Sequence, residues 1–394
     1  MSQSSRSGLS IRLPRKDGSL EDFKVSDARK FAGHGAGPFN RIAFSAAHIV
    51  ADALADNDPW LETAVDWDRT IAYREYIWDL GLGVAEAMDT AQRGMGVDWP
   101  TSLELIRRSV AAARPRQALV FSGAGTDQLD PAPDVTLDDV VGAYEEQIAA
   151  IEAVGGRIIL MASRALAAAA KDPEDYARVY DRILSQVKEP IIIHWLGEAF
   201  DPALAGYWGS SDDYRAMDSC LSVIRGRKEK VDGIKISLLS KEKEVDMRRR
   251  LPAGVRMYTG DDFNYAELIA GDEQGYSDAL LGIFDAIAPA AAAALSALAR
   301  GSNNEFFDIL EPTVPLSRHI FRAPTRFYKT GIVFLAFLNG HQDHFVMAGG
   351  QESARSTLHL AETFRLADAA GLLRDPPQAV SRMKTVLATR GIDA

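Results

Sequence analysis

The chain of 394 residues holds a single cysteine, Cys220, which excludes a disulfide framework and a thiolate metal cluster. It also lacks long apolar runs. No segment approaches the roughly 20 apolar residues of a membrane-spanning helix, and the opening Met1-Ser2-Gln3-Ser4-Ser5-Arg6 has none of the apolar character of a signal peptide. Positive charge is scarce. Lysine and arginine number 44 against 55 aspartates and glutamates, a net charge of −11, so a surface for nucleic acid or anionic membrane is not expected. These absences predict a cytoplasmic protein with a small-molecule partner. Cys220 falls in a helical stretch, 214–224, as a small core or surface residue.

What is present is a core. At 47% hydrophobic residues, the chain can fill one large domain or two ordinary ones. Residues 9 to 25 alternate apolar and polar around Asp17-Gly18, the signature of a hairpin. A glycine-rich connection, Gly33 to Gly37, leads to a first strand at Ile42–Ala47. Short strands then alternate with helices. Strands are expected at 83–88, 118–121, 157–161, 190–195, 233–235, 255–258 and 276–281, and helices at 66–79, 102–113, 137–154, 173–187, 214–225, 245–250 and 263–270.

Eight strand–helix units in roughly 250 residues match the size of a (β/α)8 TIM barrel better than a doubly wound sheet. From Ala288 to Ile392 the apolar spacing is helical. The expected organisation is an N-terminal hairpin and connection (1–39), a barrel (40–289) and a C-terminal helical extension packed on it (290–394). Ala290 to Ala294 is a strong helix former.

In such a barrel the active site lies at the carboxyl ends of the strands. The residues expected there are His48, Asp89, Thr90, Gln92, Arg93, Ser122, Thr126, Ser163, Arg164, His194, Lys235, Asp261 and Asp262, with Asp278 inside the eighth strand. Lys235 stands out. It closes the apolar run Val231-Asp232-Gly233-Ile234-Lys235, and an ammonium taken out of water must be paired or lose its proton. The neutral amine that results is a nucleophile for a carbonyl.

Gly233-Ile234-Lys235, then Met257-Tyr258-Thr259-Gly260-Asp261-Asp262, then the strand ending near Ala288-Pro289, resembles the dihydrodipicolinate synthase and N-acetylneuraminate lyase superfamily of class I aldolases. The resemblance spans residues 40 to 370. It implies a TIM barrel, a Schiff base through Lys235 with a 2-oxo acid or a keto-sugar-derived substrate, no cofactor, and assembly as a homodimer or homotetramer. The family's fifth-strand tyrosine is replaced by His194, a group able to relay protons near neutrality. The family's Gly-Thr-Thr-Gly-Glu turn is replaced by Asp89-Thr90-Ala91-Gln92-Arg93-Gly94. Thr90 keeps one carboxylate contact, and Arg93 offers a bidentate grip on an acid group or a salt bridge. Ser122, Ser163, Asp261 and Asp278 complete the expected substrate contacts, while Asp261 and Asp262 equally suit a turn.

Two other readings use the same barrel. One is a divalent-metal sugar isomerase or epimerase with Glu86, Asp89, His194 and Asp261 as ligands. The other is a barrel that binds a sugar acid without turning it over. His341-Gln342-Asp343-His344 is the most metal-like stretch, although a catalytic zinc wants three well-placed ligands. Trp60, Trp67, Trp78 and Trp99 are expected in the core or in a lid.

Overall fold

A computed structural model describes residues 6–31, 39–132 and 134–394. The glycine-rich connection at 33–37 and the first five residues lie outside the described residues. Two antiparallel strands, β1 (Arg6–Pro14) and β2 (Leu20–Ser26), form the hairpin, turning through Gly18 at φ 85°. Its alternation buries Ile11, Leu13 and Val25.

The barrel follows in order: β3 (Ala43–Ala46), α1 (Trp67–Asp79), β4 (Gly83–Glu86), α2 (Trp99–Arg116), β5 (Val120–Ala124), α3 (Leu137–Ala153), β6 (Arg157–Met161), α4 (Arg164–Ala169), α5 (Pro173–Gln186), β7 (Ile191–Leu196), α6 (Asp213–Gly226), β8 (Val231–Ser237), α7 (Lys241–Arg250), β9 (Arg256–Thr259), α8 (Tyr265–Ala270) and β10 (Asp278–Leu281). The eight strands β3 to β10 are parallel and close on themselves, β10 pairing with β3. This is a TIM barrel. Side-chain oxygens start the helices where the sequence supplies them: Asp66 caps α1, Asp98 caps α2, and Thr136 with Asp139 makes a capping box on α3.

Alternation along each strand sorts the side chains. Phe44, Ala85, Phe121, Ile159, Ile192, Tyr258 and Leu280 fill the barrel interior, while their neighbours pack under the helices. Thus Glu86 on β4 points outward. It meets Arg74 of α1, with both side chains wholly buried.

Beyond β10 the chain is helical: α9 (Ile283–Ala286), α10 (Ala288–Ala299), α11 (Asn303–Leu310), α12 (Val314–Ile320), α13 (Tyr328–Leu338), α14 (Thr357–Ala369) and α15 (Pro376–Ala388). Ala290 to Ala294 are buried throughout, since small side chains let α10 approach its neighbours closely. The hairpin is anchored to these helices rather than to the barrel strands. Arg365 Nε donates to Glu21 Oε1 at 3.0 Å, and Ser26 N donates to Asp368 Oδ1 at 2.9 Å.

Trp78 and Trp99 are buried, while Trp60 is 74% exposed in the aspartate-rich loop after β3 and lies outside the core. One expected boundary needs correction. Strand β5 begins and ends later than expected, at 120–124. Cys220 is buried in α6.

One buried acid makes the fold sensitive to pH. Burial pushes the Glu244 carboxyl on α7 up to about 8, with hydrogen bonds from Ser277 Oγ (2.7 Å) and Thr259 Oγ1 (2.9 Å) acting the other way. The folded state therefore holds this proton more tightly than the unfolded chain, whose glutamate titrates near 4.5. The resulting stability is full below that value and is lost as pH rises through about 8. Glu244→Gln should remove this term. The denaturation midpoint of the variant should gain on the wild type between pH 4 and pH 9, on the order of a few degrees in melting temperature; a difference constant across that range would sink the idea.

Candidate active site

Strand alternation puts Gly233, Lys235 and Ser237 of β8 on the inner face, since Ile234 and Ile236 belong to the outer core. By the same rule His194 of β7 faces inward, and His194 and Lys235 are register partners. Both stand toward the carboxyl ends of their strands. Lys235 is 8% exposed and His194 1%.

Neither is held by an opposite charge. No carboxylate among the described residues lies within ion-pair distance of Lys235 Nζ. Burial lowers the amine below its ordinary value of 10.5, while the carboxylates of Asp262 and Asp89 act in the opposite direction. Burial also raises Asp262, which accepts a hydrogen bond from Ile283 N at 2.9 Å. The lysine is thus held below and the aspartate above its ordinary value, each chiefly by burial. His194 is driven well below 6.5 by burial and by Lys235, so its imidazole is neutral. Its Nε2 lies 3.3 Å from Ser237 Oγ, and its buried Nδ1 has no partner.

Glycine at 260 is a steric requirement of this arrangement. A Cβ there would lie 2.6 Å from Ile236 O and 2.7 Å from Lys235 Cε. The turn after β9 can lie against the lysine stem only without a side chain.

Across the mouth, Thr90 Oγ1 shares a 2.8 Å hydrogen bond with the hydroxyl of Tyr328, the first residue of α13. Burial holds that phenol well above 10, with Asp89 adding to the effect. Its ring stacks on Phe321 at 4.3 Å. Thr126 and Ser163 hydroxyls meet at 2.6 Å, and Ser163 also caps α4 through Leu166 N. A pocket of about 270 Å³ opens here, lined by Asp89, Thr126, Ser163, Arg164, His194 and Leu196 among others.

The structure therefore gathers Lys235, His194, Thr90 and Ser163 at one end of the barrel. It does not bring the rest into the same role. Arg93 lines the pocket, but its guanidinium is 2% exposed and donates to Asp127 Oδ1 (2.6 Å), Gln147 Oε1 and Gly123 O, so its donors are already spent. Ser122 lies within β5, next to the inward Phe121, and so faces the helix layer. The later start of that strand moved it out of the loop. Asp261 accepts from Phe263 N (2.8 Å), Asn264 N (3.1 Å) and Asn264 Nδ2 (2.8 Å) and holds the turn.

Asp278 opens β10, at the amino end of the barrel, opposite the mouth. There it accepts from Ile42 N at 2.8 Å and pairs with Arg256 at 3.4 Å. A residue that begins a parallel barrel strand cannot reach the site at its other end.

His48 is a structural link: its Nδ1 lies 2.8 Å from Asp285 Oδ2, and Tyr73 OH donates to Asp285 Oδ1 at 2.8 Å. The ligand set Glu86, Asp89, His194 and Asp261 is not assembled, because Glu86 is turned outward to Arg74. Among the described residues no three His, Cys, Asp or Glu side chains form a metal-holding group. The His341 ring lies against Tyr73 and Tyr76, at 4.9 and 4.6 Å, and His344 Nδ1 accepts from Val346 N at 3.2 Å.

Sequence reasoning missed Tyr328 and the next residue, Lys329, because they lie more than 90 positions beyond Lys235. One signal was available. Lys329 is the only charged residue in the otherwise apolar stretch 328–338, every residue of which is buried.

Solved structures with this fold come from several bacteria. A putative dihydrodipicolinate synthetase from Pseudomonas aeruginosa shares 14% identity, covering 82% of this chain and 99% of that one, with a TM-score of 0.60. The dihydrodipicolinate synthase from Aquifex aeolicus gives 13% identity, coverage of 90% and 99%, and a TM-score of 0.59. A prophage protein of the dihydrodipicolinic acid synthase family from E. coli K12, solved in complex with pyruvate, gives 13%, 89% and 98%, and 0.63. At such identities the likeness establishes the fold and leaves the reaction to the site. No curated protein matches in sequence. The family model described as "Protein of unknown function (DUF993)" matches residues 11–392, and the chain belongs to that family, with the fold seen in the dihydrodipicolinate synthase structures.

Proposed function

We propose that this protein is a Schiff-base-forming lyase or aldolase acting on a 2-oxo acid or a keto-sugar-derived substrate, with Lys235 as the nucleophile. One observation carries the reading: an inward-facing lysine at the barrel mouth, nearly out of water and without an ion-pair partner among the described residues. The structural relatives are named for synthases of one such class, which supports it.

The neutral amine attacks the substrate ketone, forming a carbon–nitrogen bond. With one proton taken up, the carbonyl oxygen leaves as water, and the iminium formed draws in the electron pair of the Cα–Cβ bond as it breaks, becoming an enamine. In that cleavage direction a base takes the proton of the departing fragment's hydroxyl. In this reading the nearby Asp262 carboxylate influences the charge on Lys235, and the Thr90–Tyr328 pair and neutral His194 are the candidates for hydrogen-bonding the reacting oxygens. The metal-isomerase reading requires Glu86 at the site, and that carboxylate serves the Arg74 pair.

The test is borohydride reduction in the presence of 2-oxo acids, with the adduct located by peptide mass spectrometry. A mass increase on Lys235 is the expected result; no adduct with a broad panel of oxo compounds would leave the reading without support. Its pH dependence has a definite sign. Adduct formation should rise with pH as the depressed amine loses its proton. The Asp262 carboxylate opposes that loss, so Asp262→Asn should move the rising limb to lower pH. A limb that stays in place, or moves upward, would show that Asp262 does not act on the amine.

A further inference from the structure

Two lysines are buried among the described residues, Lys235 and Lys329, and Lys329 is the more buried at 4% exposed. Its ammonium donates to Arg326 O at 3.0 Å and lies 3.3 Å from Met95 Sδ. No carboxylate among the described residues is within ion-pair distance. A buried ammonium without a counter-charge is costly, and here the cost is incurred at the wall of a small hollow beside the mouth pocket, where a ligand could supply the missing charge.

The neighbouring charges leave a surplus. Arg93 is taken by Asp127, and Arg164 by Asp201. Among the described residues, that leaves Lys329 and Arg326 beside the one carboxylate of Asp89, with the Arg326 guanidinium over the Phe327 ring at 5.0 Å. Burial lowers Lys329 to about 8, so much of it still carries a proton at neutral pH. The hollow at Lys329 adjoins the 270 Å³ pocket, the two sharing Asp89, Arg93, Arg164, Leu196 and Asp201 in their walls. His194, the register partner of Lys235, also lines that pocket.

We infer that Lys329, assisted by Arg326, is an anion subsite that receives a second acid group, a carboxylate or phosphate-like group, carried by the substrate away from its reacting carbonyl. The inference rests on the Schiff-base reading and narrows the substrate to a dianionic oxo acid. Lys329 is a specificity residue here: it takes no part in bond making at the carbonyl.

Concentration dependences of borohydride trapping on Lys235 test it, using pyruvate, 2-oxohexanoate, 2-oxoadipate and 2-oxo-4-phosphonobutanoate. In the wild type a dianionic ligand should half-saturate at a concentration about tenfold or more below that of 2-oxohexanoate, as a charge-assisted contact implies. Carboxylate against phosphonate tells which acid is preferred. Lys329→Met should raise half-saturation for the dianions about tenfold more than for pyruvate, and Lys329→Arg should restore part of the loss. Circular dichroism melting of each variant separates misfolding from lost recognition. Labelling by pyruvate without any preference for dianions, or an equal effect of Lys329→Met on all ligands, overturns the subsite while leaving the Schiff base standing. No labelling of Lys235 by any ligand overturns both.

Discussion

Lys235→Ala should abolish the reducible adduct at that position and lower turnover by roughly 10³-fold or more, because it removes the amine proposed to form the iminium. Breaking a carbon–carbon bond next to a ketone needs a cationic sink, and the amine is the side chain that supplies one without a cofactor. Lys235→Arg keeps a cation in the same place but should be almost as inactive, since a guanidinium does not give up its proton in a protein. The arginine variant therefore separates nucleophile from mere positive charge. Should it keep substantial activity, Lys235 would be an electrostatic residue and the reaction would lie elsewhere. Weakened ligand binding in Lys235→Ala, with no turnover in the wild type to lose, would instead favour a barrel that only binds a sugar acid.

The largest effect on stability is expected at the other face of the same barrel. Arg74 and Glu86 form a two-pronged pair, Nε to Oε2 and Nη2 to Oε1, both at 2.9 Å, with both side chains wholly buried. Arg74 also donates to His48 O and to Thr70 O at 3.2 Å, and Glu86 accepts from Ser109 Oγ and from Ala87 N at 2.8 Å. One guanidinium thus ties the end of β3, helix α1 and β4 together. Removing either partner strands a charge out of water, so Arg74→Met or Glu86→Gln should cost about 3–5 kcal/mol in denaturant unfolding. The double change Arg74→Met with Glu86→Leu should recover much of that loss, since no lone charge is left behind. Losses that simply add in the double variant would show that the pair is not coupled.

The same pair shows where reading the chain stops. Glu86 lies in an otherwise apolar strand, and its position alone suits a metal ligand at the mouth as well as a partner for a helix. Strand alternation decides, and a slip of one residue exchanges the two faces. Ser122 illustrates the consequence, since an expected strand end at 121 put it in the active-site loop, whereas β5 runs to Ala124 and turns it under the helices. Lys235 was readable because two features agree: an apolar run on both sides and a lysine near the strand's carboxyl end. Arg93 was readable as a cation near the mouth, but not as one already engaged by Asp127, 34 residues away.

Local sequence, then, determined the alternation of strands and helices, the eightfold count, the hairpin at Asp17-Gly18 and a lysine near the carboxyl end of β8. Each depends on side-chain periodicity and turn chemistry within a few residues. Only the closed barrel and its helical extension decided which residues share the mouth. Closure brings β10 beside β3, fixes Asp278 at the wrong end for catalysis, and lets α13 place Tyr328 against Thr90 and Lys329 on the pocket wall. Contacts between residues hundreds of positions apart leave no periodic trace in the chain, because they are selected by packing and by the cost of burying unpaired charge.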